Sequence, residues 1–290
     1  MLNGAHPPPR LHGVSPNVNP HTYLSFDLLE DVMLLPPSKY EEIVGRATVL
    51  RIGPLVEYAF HHYEVAPATL RSRTDNQVVD SLLRVLTERM RSKADTSMKA
   101  RPVEFFRSPQ SPEGVEDPNW IAFCMRLIDA GVRAGLPKQF SQGLAGTFEE
   151  MTGNLLEHSE RPESGVVGYA WRPGEFEYVV ADAGIGVLDS LRQHQDYSWM
   201  ADSGEALETA VCDGESRHGR RQLRGTGFHN LIYNIARRNS YLRFRSGDHS
   251  YTLDGTKSLP VKQLQHCAPF QGFLIAVVCR PLKKDFIRGA

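Results

Sequence analysis

The most informative features of this 290-residue chain are first the ones it lacks. No apolar run approaches the ~20 residues that a membrane-spanning helix needs, and the opening MLNGAHPPPRLHGVSPNVNP has no apolar stretch of the kind a secretion signal carries. Cys124, Cys212, Cys267 and Cys279 are far apart with no C-x-x-C pair, which excludes the spacing of a disulfide scaffold or a zinc site. Reduced thiols and a cytoplasmic location are the expectation, with no membrane partner. Charge of one sign is also missing: 33 Lys and Arg stand against 34 Asp and Glu, so no global field favours nucleic acid. Neither G-x-x-x-x-G-K-[ST] nor a full G-x-G-x-x-G occurs, and DGTKS at 254–258 is only a near miss, which disfavours the P-loop and dinucleotide folds.

What is present is an ordinary globular composition, 41% hydrophobic and 23% charged, enough for one large domain or two modest ones. Residues 1–20 hold five prolines among polar residues and read as a disordered tail. Residues 21–100 read as an α/β or helical region of unknown role, with ATVLRIG (47–53) as a short strand and NQVVDSLLRVLTERM (76–90) as a helix. Residues 101–117 are Pro-rich and read as a linker. From 118 to 290 the pattern sharpens: amphipathic helices over 120–135 and about 138–160, a hairpin over 166–184 around Pro173 and Gly174, then a long polar segment. A helix opening at GTGF and three further strands follow. The order predicts an α/β fold, a mixed sheet with its helices packed on one face.

Three motifs carry the chemistry. In EEMTGNLLEHSE (149–160), Glu150, Asn154 and His158 recur at steps of four and form one polar stripe beside the apolar stripe Phe140, Leu144, Phe148, Met151 and Leu155. Lys and Arg are absent there, and Gly153 sits in mid-helix at a cost of about 1 kcal/mol relative to Ala. VVADAGIG (179–186) ends an apolar strand in Asp182, positioned to accept from an exocyclic amine, followed by Gly184 and Gly186, where backbone can approach a flat ligand. RRQLRGTGFHN (220–230) sets Arg220, Arg221 and Arg224 before Gly225, Thr226 and Gly227 at a helix start, a place for phosphate oxygens. Each alone also reads as ordinary structure: a helix histidine, a strand-to-turn aspartate, a basic loop.

In this order the three motifs resemble those of the ATP-binding domain shared by sensor histidine kinases, anti-sigma-factor kinases, DNA gyrase, mismatch-repair ATPases and the heat-shock chaperone clamp. This is the histidine-kinase-like (GHKL, Bergerat-fold) ATPase superfamily. The resemblance covers about residues 118–282. It implies that Asn154 holds Mg²⁺ against the triphosphate of ATP and that Glu150 is the catalytic or water-orienting carboxylate. His158 would lie near phosphate. Asp182 would read the adenine amino group, with Gly184 and Gly186 lining the base pocket. Gly225, Thr226 and Gly227 would form the phosphate-facing turn, and about 190–224 a lid with a short helix at 203–211 (SGEALETAV), closed by Arg220, Arg221 and Arg224. Phe228-His229 stands where many relatives have Leu-Gly, and Phe273 follows Gly272 where the family often has Thr.

The chain ends soon after its last strand, so the transducer domain of gyrase-like ATPases is not expected. The arrangement is most similar to stand-alone bacterial kinases that bind or phosphorylate a small regulatory protein on Ser. Three expectations follow: a Mg-dependent kinase or ATPase in regulation with a protein phosphoacceptor, a nucleotide-switched interaction module without turnover, or a cytosolic histidine kinase using His62 in HHYEVAP. A homodimer is compatible with each.

Overall fold

The computed structural model describes residues 23–61, 77–87, 97–212, 226–236 and 238–282. Its frame is a five-stranded sheet in the order β1-β2-β3-β5-β4, built from β1 (Val103–Arg107), β2 (Val166–Arg172), β3 (Glu175–Asp182), β4 (Asn239–Asp254) and β5 (Val261–Arg280). Every pairing is antiparallel. The expected α/β sandwich is there, but among the described residues the sheet strands pair only antiparallel, not as a mixed sheet. Sequential strands joined by tight turns, as at Pro173 and Gly174 (φ +85°), pair antiparallel without a crossover helix.

Alternation along the strands sends two sets of side chains to opposite faces. Tyr178 and Val180 of β3, Val167 and Tyr169 of β2, and Ile275 and Val277 of β5 point to one face. There they meet α5 (Pro118–Arg133), α6 (Lys138–His158), α8 (Ser203–Cys212) and α9 (Thr226–Ala236). α5 starts where the Asp117 side chain accepts from the Asn119 amide at 2.8 Å. All five apolar residues of the α6 stripe, from Phe140 to Leu155, are buried.

Val179, Ala181, Leu274 and Ala276 point the other way, into a second core. Its cover comes from α1 (Phe26–Val32), α2 (Pro37–Arg46), α3 (Ile52–His61) and α4 (Gln77–Thr87). Helices therefore lie on both faces, not one, because the region read as a unit of unknown role is the missing second layer.

Two local readings change with it. ATVLRIG forms no strand: Thr48 makes a single bridge to Tyr23, and α3 begins at Ile52. The cause lies on β3, where the Glu177 carboxylate accepts from the amides of Ile52 (3.0 Å) and Gly53 (2.8 Å) and caps the helix from outside. The stretch 101–117, read as a linker, contains edge strand β1 and a 3₁₀ turn at Pro112–Glu116, because Val103 and Phe105 are buried under the N-terminal layer. The helix expected at 76–90 is α4.

β4 and β5 pair in two stretches, 239–246 with 273–280 and 249–254 with 261–266, separated by register shifts around Gly247 (φ +58°). The Gly255 amide donates to Ser240 O at 2.9 Å, so the ribbon returns beside its own start. Tyr251 and Leu253 thereby join the core of Leu231 and Ile235 from α9. Among the described residues no helix is long and apolar enough to cross a membrane.

Candidate functional site

α6 is a 21-residue helix with three kinds of edge. Its apolar stripe faces the sheet. On one border Glu150, Asn154 and His158 are half-buried, as a stripe neither in the core nor opposed to it must be. On the other border Glu149, Thr152, Gly153 and Leu156 join Pro109, Val115 and Trp120 in lining a cleft of about 290 Å³. Gly153 thus lines this second groove and separates it from the Glu150 stripe.

The C-terminal end of α6 abuts the loop after β3. The Ile185 amide donates to Ser159 O at 3.0 Å. A Cβ on Gly184 would stand 2.0 Å from that same oxygen, so only glycine lets strand end and helix end meet. Gly186 adopts φ +78°, and its Cβ position lies 2.7 Å from Ser246 Oγ. The Ser246 hydroxyl donates to Gly272 O (2.7 Å) and accepts from the Val187 amide (3.0 Å), tying β4, β5 and the start of α7 (Gly186–Arg192) into one corner. Both glycines expected to line a base pocket are thus also required by backbone packing.

Asp182 occupies the centre of this corner and is 0% exposed. It sits opposite Phe273 in the β3–β5 register, and Phe273 opposite Ser246, so the three form a row across the sheet on the α6 side. Asp182 Oδ1 accepts from the Gly184 amide at 2.7 Å. Oδ2 is buried without a hydrogen bond among the described residues. Burial pushes its pKa up to about 7, although the Gly184 and Phe273 amides and the Arg161 guanidinium favour the charged form. Arg161, two residues beyond Ser159, donates to Ala183 O at 3.3 Å, and the Ser164 hydroxyl accepts from the Ala183 amide at 3.0 Å.

The first two motifs are therefore in contact through Ser159. Of the third, Arg220, Arg221, Arg224 and Gly225 lie outside the described residues, as does His62. Thr226 and Gly227 open α9. α9 shares the α6 core through Leu231 and Ile235, and Arg238 just past its end lies 4.3 Å over the Phe140 ring near the start of α6. The helix expected at 203–211 inside the lid is α8.

Sequence reasoning did not find Ser159, Arg161, Ser164 or Ser246, which hold the Asp182 corner. Their roles depend on partners up to 59 positions away, as from Val187 to Ser246, and no local spacing encodes them.

A second polar cluster lies at the β4 corner. The Ser203 hydroxyl donates to Asp248 Oδ1, and His249 Nδ1 lies 3.1 Å from that hydroxyl and 2.9 Å from the same carboxylate oxygen. His266 Nε2 is 3.4 Å from Asp248 Oδ2. The Ser203 hydrogen bond holds the Asp248 pKa down to about 2. Serine and aspartate meet the same ring nitrogen, whereas a nucleophilic triad needs them on opposite nitrogens, so this arrangement does not activate Ser203. Among the described residues no group of three or more His, Cys, Asp or Glu side chains is arranged to hold a metal ion. A magnesium ion carried by phosphates and waters needs only one or two protein oxygens. No protein-family model, no curated protein and no solved structure matches this chain.

Proposed function

We propose that the chain binds Mg-ATP at the corner between the C-terminal half of α6, the end of β3 and the start of α9, and acts as a regulatory protein kinase or ATPase of the histidine-kinase-like superfamily. The observation that carries the reading is Asp182 Oδ2, an acceptor in a fully buried residue with no hydrogen bond among the described residues. Leaving such a group unpaired costs about 1–3 kcal/mol. The exocyclic amine of adenine is a donor of the right kind to remove that cost.

The remaining residues fit the same ligand. Asn154 offers a neutral oxygen of the kind magnesium accepts beside phosphate and water. Glu150, one turn earlier on the same border, would take the proton from a partner's seryl hydroxyl or from water. Arg238, just past the end of α9, lies over Phe140 near the start of α6, so the N-terminus of α9 would face the Glu150 and Asn154 half, where a helix start favours phosphate. Bound Mg-ATP supplies the phosphoryl group that is transferred; Arg220, Arg221 and Arg224 would neutralise its charge. Gly184 and Gly186 would border the base.

Calorimetry with ATP, with and without Mg²⁺, tests this. Folded wild type is expected to bind, and Asp182→Asn to bind about 10–100-fold more weakly at pH 8, the worth of a charged hydrogen bond. Because the carboxylate accepts the amine, the Asp182 proton must leave before binding. Wild-type affinity should then fall up to about tenfold per pH unit below about 7. Asn154→Ala should remove the magnesium dependence. Absence of binding by folded wild type, or unchanged binding by Asp182→Asn, overturns the proposal. Glu150→Ala abolishes turnover if the protein is a kinase or ATPase, and leaves the effect of ATP on partner binding intact if it is a switch without turnover.

A further inference from the structure

α5 buries Trp120, Phe123, Leu127 and Ala130 against the sheet layer, yet its opposite face is also apolar. Ile121, Met125, Ile128 and Val132 recur at i, i+4, i+7 and i+11, which is one helical stripe. Three of the four are exposed, at 48%, 47% and 41% for Ile121, Met125 and Val132. A solvated helix carries polar residues there.

The neighbouring face of α6 is smooth for no internal reason. A Cβ on Gly146 or Gly153 would meet nothing within 4 Å. Each glycine costs about 1 kcal/mol relative to Ala in mid-helix. Nothing inside the described fold needs them, whereas an outside surface that presses close to the α6 backbone does. Between the two helices runs the cleft beside Trp120, walled by Val115 and Glu149.

The stripe is also self-complementary. Turning it end for end about its midpoint sets Ile121 against Val132 and Met125 against Ile128. The same antiparallel pairing sets the N-terminal end of one copy's α5 beside the C-terminal end of the other's. The N-terminal end is acidic, with Glu113 and Glu116 exposed, and the C-terminal end carries exposed Arg133 and Lys138. A two-fold contact requires each patch to fit itself in this way.

We propose that this face is a homodimer interface in which two copies of α5 pair antiparallel, each lying against the other's Gly146 and Gly153 shelf. Gly146 lies one turn before Glu150, so the shelf runs beside the Glu150 stripe, whereas the α5 pairing itself uses no residue of the nucleotide reading. The test is sedimentation velocity on the full chain over a range of concentrations, with circular dichroism confirming that each variant is folded. Wild type should sediment as a dimer and Met125→Glu as a monomer. Glu116→Lys and Lys138→Glu should each raise the dimer dissociation constant severalfold, and the double variant should restore it, because the opposite-charge pairs re-form at both ends. A monomeric wild type, or a dimer untouched by Met125→Glu, overturns the interface. Failure of the charge-swapped double variant to recover overturns the antiparallel arrangement.

Discussion

The two faces of the sheet are held by different physics. On the α5–α6 face the contact is aromatic: Phe106, Trp120, Phe123, Phe148, Tyr169 and Tyr178 form a continuous cluster, with ring centroids from 5.2 Å (Phe106 to Phe123) to 6.0 Å (Phe123 to Phe148). One buried ion pair sits at its edge, where Arg126 grips Glu104 through two bonds of 2.9 and 2.7 Å and the Tyr169 hydroxyl donates to the same carboxylate. On the α1–α4 face charge is central. Arg243 of β4 donates to both oxygens of Glu57 on α3, at 2.7 and 2.8 Å, and to Glu30 on α1 at 2.6 Å. Arg245 lies 3.5 Å from Glu57 and donates to three backbone carbonyls, and Glu177 caps α3. Dispersion between rings tolerates small shifts, whereas a bidentate buried pair works in one register only. The first face supplies stability that many packings would give. The second fixes where the N-terminal helices dock.

The sharpest way to break that contrast is Glu57→Ala, which leaves Arg243 with Glu30 alone and Arg245 in the interior without a carboxylate. A loss of about 3–5 kcal/mol is expected in urea unfolding. Replacing Glu57 and Arg243 together by Met should cost less, because Arg243 no longer lacks its partner and Arg245 keeps its three carbonyl acceptors. Equal losses from the single and double replacements would show that the network acts through packing alone.

A second comparison uses one carboxyl from each face. Burial raises Glu177 on the α3 side and Asp182 on the α6 side to about 7 each. Both carboxyls keep protons in the folded protein that the unfolded chain releases near pH 4. Stability from these groups is therefore fully present below about pH 4 and lost as pH rises toward 7, by at most about 4 kcal/mol per group. Denaturation at pH 5 and pH 7.5 should show the fall; Glu177→Gln and Asp182→Asn should each flatten it. A slope unchanged in both variants would remove these groups as its source.

The smallest effect separates folding from association. Gly146→Ala should stabilise the monomer by up to about 1 kcal/mol, since the added methyl meets nothing, while weakening the dimer. Equal dimerisation by wild type and variant would remove Gly146 from the interface.

The two faces were also unequally legible. α5, α6, α8 and the β2–β3 hairpin follow from the sequence alone, because their signals are local: apolar residues three and four apart, or Pro-Gly between alternating strands. The stripe of Glu150, Asn154 and His158 and the strand-end position of Asp182 were legible for the same reason. The burial that lifts the Asp182 pKa was not, since it needs Ser159, Ser246 and Gly272 folded around it. Nor was the second face. ATVLRIG has strand composition, and only a carboxylate about 125 positions later, Glu177, turns its end into a helix start. Arg243 and Glu57 are 186 positions apart, and as isolated residues each looks like a solvated charge. Sequence by itself determined the elements whose hydrogen bonds and apolar periodicity close within a turn or a hairpin. Tertiary structure decided which charges to bury, which segment became the edge strand and where the N-terminal layer lies, because those energies arise only when distant groups leave water together.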